Sequence, residues 1–281
     1  MPQPAGDAVK SAFRVLDILE LLAERPLPLS HAQIGSALGI PKSSLTGLLR
    51  TLAARGYVET EAGGHRLGPR VGDLLAGARR RAGAAEAAGP IVARLSAEVG
   101  ESAGFSVPEG DGARLVAATN ARHPLVFVFH VGTRLPLFAT SSGKAILAHL
   151  PEAELADYLA RETWQPLTPR TVRSEKALRK QLAETRRDGL ALSFEERHPG
   201  IVGIAAPVLD GEGRPLGAVN VALPTARFDA AARTRVGAAL RRAAEALARR
   251  LVGAEVAHAG GSPRKKASSA AASSAGRSSG T

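Results

Sequence analysis

The 281-residue chain has no cysteine, and no apolar run approaches the roughly 20 residues that a membrane-spanning helix needs. Without thiols there is neither a thiolate metal cluster nor a redox pair, and the composition suits a reducing cytosol. The opening stretch MPQPAGDAVK lacks the apolar core of an export signal, so the protein is expected in the cytoplasm and away from membranes. Acid is the scarcer charge: 26 Asp and Glu face 37 Lys and Arg, a formal net charge of +11. Such an excess suits a polyanionic partner, and where it sits matters more than its size. It is densest at RVGDLLAGARRR, where Arg70, Arg79, Arg80 and Arg81 face Asp73 alone. The tail is also basic, with Arg264, Lys265, Lys266 and Arg277 and no acid after residue 256.

Catalytic signatures are incomplete. GESAG, Gly100 to Gly104, spells the G-x-S-x-G elbow that would make Ser102 a nucleophile, but an elbow runs from strand into helix. Here the order is reversed. Ile91, Val92, Leu95 and Val99 before it have helical spacing, Gly100 stands where a helix C-cap glycine belongs, and FSVPEGDGARLVAAT after it reads as strand, turn, strand. Ser141 and Lys144 form S-x-x-K, yet neither S-D-N nor K-T-G occurs. The same SSGK fails as a phosphate loop, because Phe138 and Ala145 stand where glycine and Ser or Thr are required. No H-E-x-x-H is present. A serine hydrolase using Ser102 or Ser141 is the competing reading; no catalytic residue, metal or cofactor is expected.

The amino-terminal stretch is more specific. Phe13, Leu16, Leu19 and Leu22 recur on one helical face before Pro26 and Pro28. Ser30 and Gln33 make a capping box, Gly39 ends a short helix, and Pro41 opens the next with Leu45, Leu48, Leu49 and Leu52 as its buried stripe. Two helices joined so briefly form a helix-turn-helix. The outward face of the second carries Ser43, Thr46, Gly47 and Arg50, with Lys42 and Ser44 near its start. Small, hydroxylic and cationic groups suit a major groove. YVETEAGGHRLG then reads as strand, Gly-Gly turn, strand, a wing whose His65 and Arg66 are candidate DNA contacts together with Ser30.

Further on, RLVAATN, PLVFVFHVG, GIAAPVLD and PLGAVNVALP are strand-like, and amphipathic helices at 152–161, 175–188 and 229–251 flank them. Strands in hairpins with helices to one side make an α+β sheet domain. Val236, Leu240, Ala244, Leu247 and Leu251 give the last helix a stripe that either packs on this sheet or forms an interface. At LFATSSGKAILAHL a strand end leads into a helix beginning near Ser142, whose free N–H groups at Ser141, Ser142 and Gly143 either are capped in the ordinary way or receive a metabolite's carboxylate.

The run LAERPLPLSHAQIGSALGIPKSSLTGLLRTLAARGYVE with HRLGPRV resembles the N-terminal domain of IclR-family transcriptional regulators. The likeness continues through HPLVFVFHVGTRLPLFATSSGKAILAHLP, LTPRTV, LRKQLAETRRDGLALSFEE and PGIVGIAAPVLDGEGRPLGAVNVALP, over about residues 8–252. The resemblance implies an α+β chain with a winged helix-turn-helix (8–69), a linker helix (70–83) and a GAF-like effector-binding domain (84–252); residues 1–7 are expected to be a flexible N-terminus, and the Ser/Ala/Gly-rich stretch 253–281, which has no apolar period, a disordered basic tail. The resemblance also implies a homodimer or homotetramer on double-stranded operator DNA, controlled by a small-molecule effector. The family's pocket maps onto Phe129, Ser141, Ser142 and Gly143, and onto Ser193, Gly203, Asn220 and Ala222. Where carboxylate-binding members often have an acid, a cysteine and two serines, this chain has Ser193, Gly203, Asn220 and Ala222, so a roomier, less polar floor is expected. Gly47 stands where the family often has arginine. The expected effector is a small organic acid with an aromatic or otherwise apolar body.

Overall fold

The computed structural model describes residues 9–259, with side chains to residue 252. The expected flexible N-terminus, and the tail beyond Ala259, lie outside the described residues. The chain divides into two compact units between Gly83 and Ala84.

The first unit begins with α1 (Lys10–Ala23), α2 (His31–Leu38) and α3 (Lys42–Ala54). Ser30 Oγ accepts from Gln33 N at 3.3 Å while Ser30 N donates to Gln33 Oε1 at 2.8 Å, a complete capping box that fixes the start of α2. Gly39, left-handed at φ 62°, stops α2 and lets the chain turn into α3. The core joins Ile18, Leu22, Ile34, Ile40, Leu45 and Leu49, each side chain contributing about 1.5–3 kcal/mol by its burial. The stripe expected on α1 is corrected: Val15, Ile18, Leu19 and Leu22 face the core, whereas Phe13 and Leu16 are exposed. Each step of three residues advances only about 300°, about 60° short of a full turn, so that stripe winds off the buried face.

The wing is β1 (Val58–Glu61) paired antiparallel with β2 (Gly64–Leu67). Leu29 and His65 exchange backbone hydrogen bonds at 2.9 and 2.7 Å, tying the wing to the segment before α2. Gly64, at φ 130°, sits where a Cβ would lie 2.3 Å from Leu29 O. Glycine is required there by both conformation and space. The long helix α4 (Pro69–Val99) follows, and its buried residues begin at Ala84.

The second unit is a six-stranded antiparallel sheet in the order β5-β4-β3-β8-β7-β6. Its strands are β3 (Ser102–Glu109), β4 (Gly112–Thr119), β5 (Arg134–Pro136), β6 (Ala191–Phe194), β7 (Ile201–Leu209) and β8 (Pro215–Pro224). Helices α5 (Ser141–Leu147), α6 (Glu152–Arg161), α7 (Glu175–Asp188) and α8 (Ala230–Ala259) complete it. Helices cover both faces, not one. Val202, Ile204, Val219 and Val221 pack under α8 and the latter half of α4, while Ala191, Ala205 and Ala218 meet α5 and α7. Alternation of side chains along each strand therefore gives one face of bulky β-branched residues and one of alanines. The alanine face is what lets α5 lie close against the sheet.

The α8 stripe packs on its own sheet through Val236, Leu240, Ala244 and Leu247. The helix runs on to Ala259, past the Val252 boundary expected for the tail. The run PLVFVFHVG is not a strand. Asn120 Nδ2 donates to Phe129 O at 3.2 Å and Phe129 N donates to Asn120 Oδ1 at 2.8 Å, so a side-chain amide closes residues 120–129 into a loop. Among the described residues no helix is long and apolar enough to cross a membrane.

Candidate nucleic-acid interface and ligand cavity

On α3, the leucine stripe turns inward and Lys42, Ser43, Thr46 and Arg50 are exposed, with Ser44 and Gly47 half-buried between them. A Cβ at Gly47 would meet nothing within 4 Å, so the fold does not require glycine there; its effect is to flatten the exposed face. Thr46 Oγ1 donates to Lys42 O at 2.9 Å and meets His31 Nε2 at 3.0 Å. His31, at the start of α2, thus joins this face although the sequence reading passed over it; its position right after the cap Ser30 was the available signal. Ser30 itself has its oxygen committed to the cap.

The wing residues are more encumbered. Arg66 is exposed but bridges Glu59 and Glu61, each at 2.8 Å, so its charge is already matched by two carboxylates. His65 is half-buried, with Nδ1 3.1 Å from Thr60 Oγ1. Burial first, and nearby His31 second, hold its pKa below the ordinary histidine value.

In the second unit a cavity of about 310 Å³ opens over the alanine face. Strand register builds its floor: Ser193 pairs with Gly203, and Gly203 with Ala222, across β6, β7 and β8. One step inward, Asn220 of β8 lies between Ala205 of β7 and Gly104 of β3. Ser141 and Ser142 enter from α5, and the loop closed by Asn120 supplies Phe127, Val128 and Phe129. Phe127 and Phe129 meet edge to face at 5.1 Å. The structure therefore brings Phe129, Ser141 and Ser142 together with Ser193, Gly203, Asn220 and Ala222.

Gly143 does not join them. Its N–H donates to Thr140 Oγ1 at 3.1 Å, the cap of α5, and a Cβ on it would lie 2.3 Å from the Leu137 backbone. Glycine there permits close packing, and its N–H is already satisfied. Gly203 also differs from expectation, because a Cβ on it would meet Ser141 Oγ at 2.7 Å. The missing side chain is filled by a serine hydroxyl instead of leaving room. Ser193 Oγ in turn donates to Ala139 O at 3.0 Å.

Three buried polar atoms on this wall have no hydrogen-bond partner: Ser142 Oγ, Asn220 Oδ1 and Arg197 Nη1. Arg197 and its neighbour His198, in the turn between β6 and β7, were missed by sequence reading. A cation four residues beyond Ser193 was visible, but only the turn geometry aims it at the cavity. Burial lowers the pKa of both side chains.

Neither serine of the competing reading is equipped for hydrolysis. Ser102 is fully buried at the start of β3, after the left-handed Gly100 that ends α4, and its Oγ accepts from Ala121 N at 3.1 Å. Lys144, which would have to serve Ser141 as base, is fully buried and bonds Glu196 and the Leu192 carbonyl. Burial pulls the Lys144 pKa down and Glu196 opposes that shift. The described residues contain no cluster of three His, Asp or Glu able to hold a metal.

Residues 11–62 match the IclR helix-turn-helix domain, and residues 78–249 match the bacterial transcriptional regulator IclR C-terminal domain. The HTH-type transcriptional regulator XynR of Escherichia coli K12 is 32% identical over 251 residues, covering 86% of this chain and 97% of XynR. The crystal structure of the Agobacterium tumefaciens repressor BlcR superposes with a TM-score of 0.55 at 27% identity, covering 88% of this chain and 98% of that one. An IclR homologue from Microbacterium hydrocarbonoxydans, solved in complex with 4-hydroxybenzoate, gives a TM-score of 0.55 at 26% identity, covering 87% and 100%.

Proposed function

From the premise that this chain belongs to the IclR family of bacterial transcriptional regulators, we propose that the exposed face of α3 reads its operator and that an organic acid bound in the second-unit cavity controls it. Lys42, Ser43, Ser44, Thr46, Gly47 and Arg50 enter a major groove, where the Arg50 guanidinium takes a guanine edge. The wing, with Ser30, His65 and Arg66, lies along the flanking backbone once Arg66 exchanges its carboxylates for phosphate. A pseudo-palindromic site matches two such helices in a two-fold dimer. Such a regulator works in the cytoplasm, where the DNA is.

The observation that carries the effector reading is the cavity itself: mostly apolar walls with Ser142, Asn220 and Arg197 presenting buried polar atoms that no protein group satisfies. The neighbour holding 4-hydroxybenzoate supports an aromatic acid. A ligand switches the protein only if it binds the DNA-competent and DNA-incompetent states unequally. The test is a thermal-shift and operator-release series across carboxylates, phenols and neutral analogues. Aromatic carboxylates should move both readouts, with about 2.7 kcal/mol of stabilisation at 100 times the dissociation constant. If only neutral compounds, or none, moved them, the acid reading would be wrong.

A further inference from the structure

The turn between β6 and β7 contains three charged residues in a row, and two of them are already committed. Glu195 bonds the Gly200 N–H at 2.7 Å and pairs with Arg170 at 2.8 Å. Glu196 holds the buried Lys144 and lies 3.4 Å from the Val172 N–H. Arg197, next in the chain, makes no hydrogen bond or ion pair among the described residues, and its Nη1 is buried. A guanidinium stays protonated in any protein setting, so this is a half-buried positive charge with nothing opposite it. Removing a charge from water without a partner is costly, and here its carboxylate neighbours face other groups. Of the residues lining the cavity, Arg197 is the one arginine or lysine.

The other unsatisfied atoms lie elsewhere on the same wall. The turn rejoins the sheet at Ile201, where Glu195 N donates to Ile201 O at 2.9 Å. Asn220 is level with Ala205, four residues further along β7, a backbone separation of about 13 Å at the usual strand rise. The Arg197 side chain lines one end of the cavity, and Asn220 Oδ1, beside Gly104 and without a partner, lies toward the other. Phe127 and Phe129 of the loop and the short side chains of the floor line the same cavity.

We propose that Arg197 is the anion anchor of this cavity, gripping the ligand carboxylate through its planar fork of N–H donors, while Asn220 Oδ1 accepts a hydrogen bond from a hydroxyl at the far end of the same ligand. The site thus selects flat acids carrying a distal donor, of the hydroxylated benzoate class, over simple acids and neutral phenols. The fork matches a carboxylate with two parallel hydrogen bonds, which a lysine would not reproduce. This inference rests on the organic-acid reading above and adds to it which residue meets the charge and which end of the ligand faces which wall. It also moves the anion away from the start of α5, where Gly143 N–H is already capped by Thr140.

The experiment is titration calorimetry of the full chain with benzoate, 4-hydroxybenzoate and 4-hydroxybenzamide, on wild type and on Arg197→Met, Arg197→Lys and Asn220→Leu. Wild type should prefer 4-hydroxybenzoate. Arg197→Met should weaken both acids roughly ten- to hundred-fold and leave the amide unchanged, and Arg197→Lys should recover only part of the loss. Asn220→Leu should erase the preference for 4-hydroxybenzoate over benzoate without abolishing benzoate binding. The unliganded Arg197→Met protein should melt at or above the wild-type temperature, because an unopposed cation is removed; a merely structural arginine would lower it. Wild type that binds neither acid overturns the organic-acid reading and this inference with it. Acid binding that survives Arg197→Met overturns the anchor alone.

Discussion

The two units carry their proposed sites in opposite places, the first on an exposed helix face and the second on an interior wall. In the first unit the start and the outward face of α3 are set mainly by one short run of chain: the Ser30–Gln33 box, the left-handed Gly39, and the leucines that pack on α1 and turn Ser43 and Arg50 outward. In the second, Phe129, Ser141, Arg197 and Asn220 come from separate elements and line one cavity only through the way sheet, helix and loops are brought together. A surface site follows from local periodicity. A cavity follows from what the sheet brings together and from what its glycines exclude.

That contrast can be tested from its strongest consequence down. Lys144→Met leaves Glu196 buried without its cation and should destabilise the second unit by about 3–5 kcal/mol in denaturant unfolding. Replacing Glu196 by Gln in the same chain should recover much of it. Amide-exchange protection in α1 to α3 of the full chain should be unaffected by the single change; a parallel loss there would break the distinction between the units.

Gly143→Ala comes next, at roughly 1–3 kcal/mol by the same measurement, because the new Cβ meets the fixed Leu137 backbone. Gly203→Ala should fall below it. The atom in its way is Ser141 Oγ, which can rotate. Equal losses at the two positions would mean that the floor is as rigid as the α5 contact.

Arg50→Ala should weaken specific operator binding by roughly 1–3 kcal/mol with no loss of folding stability, as expected of an exposed side chain. A uniform loss over all sequences, with the salt slope shallower by about one unit, would assign Arg50 to phosphate instead of base. The smallest effect concerns His65. Its pKa is depressed in the folded protein, so as pH falls below about 6.5 the unfolded chain takes up the proton first and stability erodes. Exchange protection in β1 and β2 should fall between pH 7 and 5 in wild type and less so in His65→Asn.

Much of the first unit was readable because capping boxes, C-cap glycines and leucine stripes are local signals. The failure on α1 is instructive: Phe13 and Leu16 are as apolar as Ile18, and only tertiary packing decides which of them is covered. PLVFVFHVG was misread for a similar reason. Alternation makes a strand only where a neighbour offers a free edge, and the Asn120 side chain satisfies part of that backbone instead. The cavity was placed on residues that, Gly143 apart, do line it together, but through family likeness and not through spacing. What residue identity did not reveal was the direction of two effects: Gly203 admits a hydroxyl rather than opening space, and Arg197 acquires its role from neighbours that leave it unpaired.

The wall of the cavity is made of two materials that bear mutation differently. On the sheet side, Ser193, Gly203, Asn220 and Ala222 sit in strands whose ladder fixes their backbone, so a change there is felt by folding as well as by a ligand. The loop side is tied to β4 through Asn120, and Phe127, Val128 and Phe129 take part in no strand. Substitutions among those three alter the shape presented to a ligand without shifting a register. The loop is therefore the part of the wall whose shape can change at the least cost to the fold.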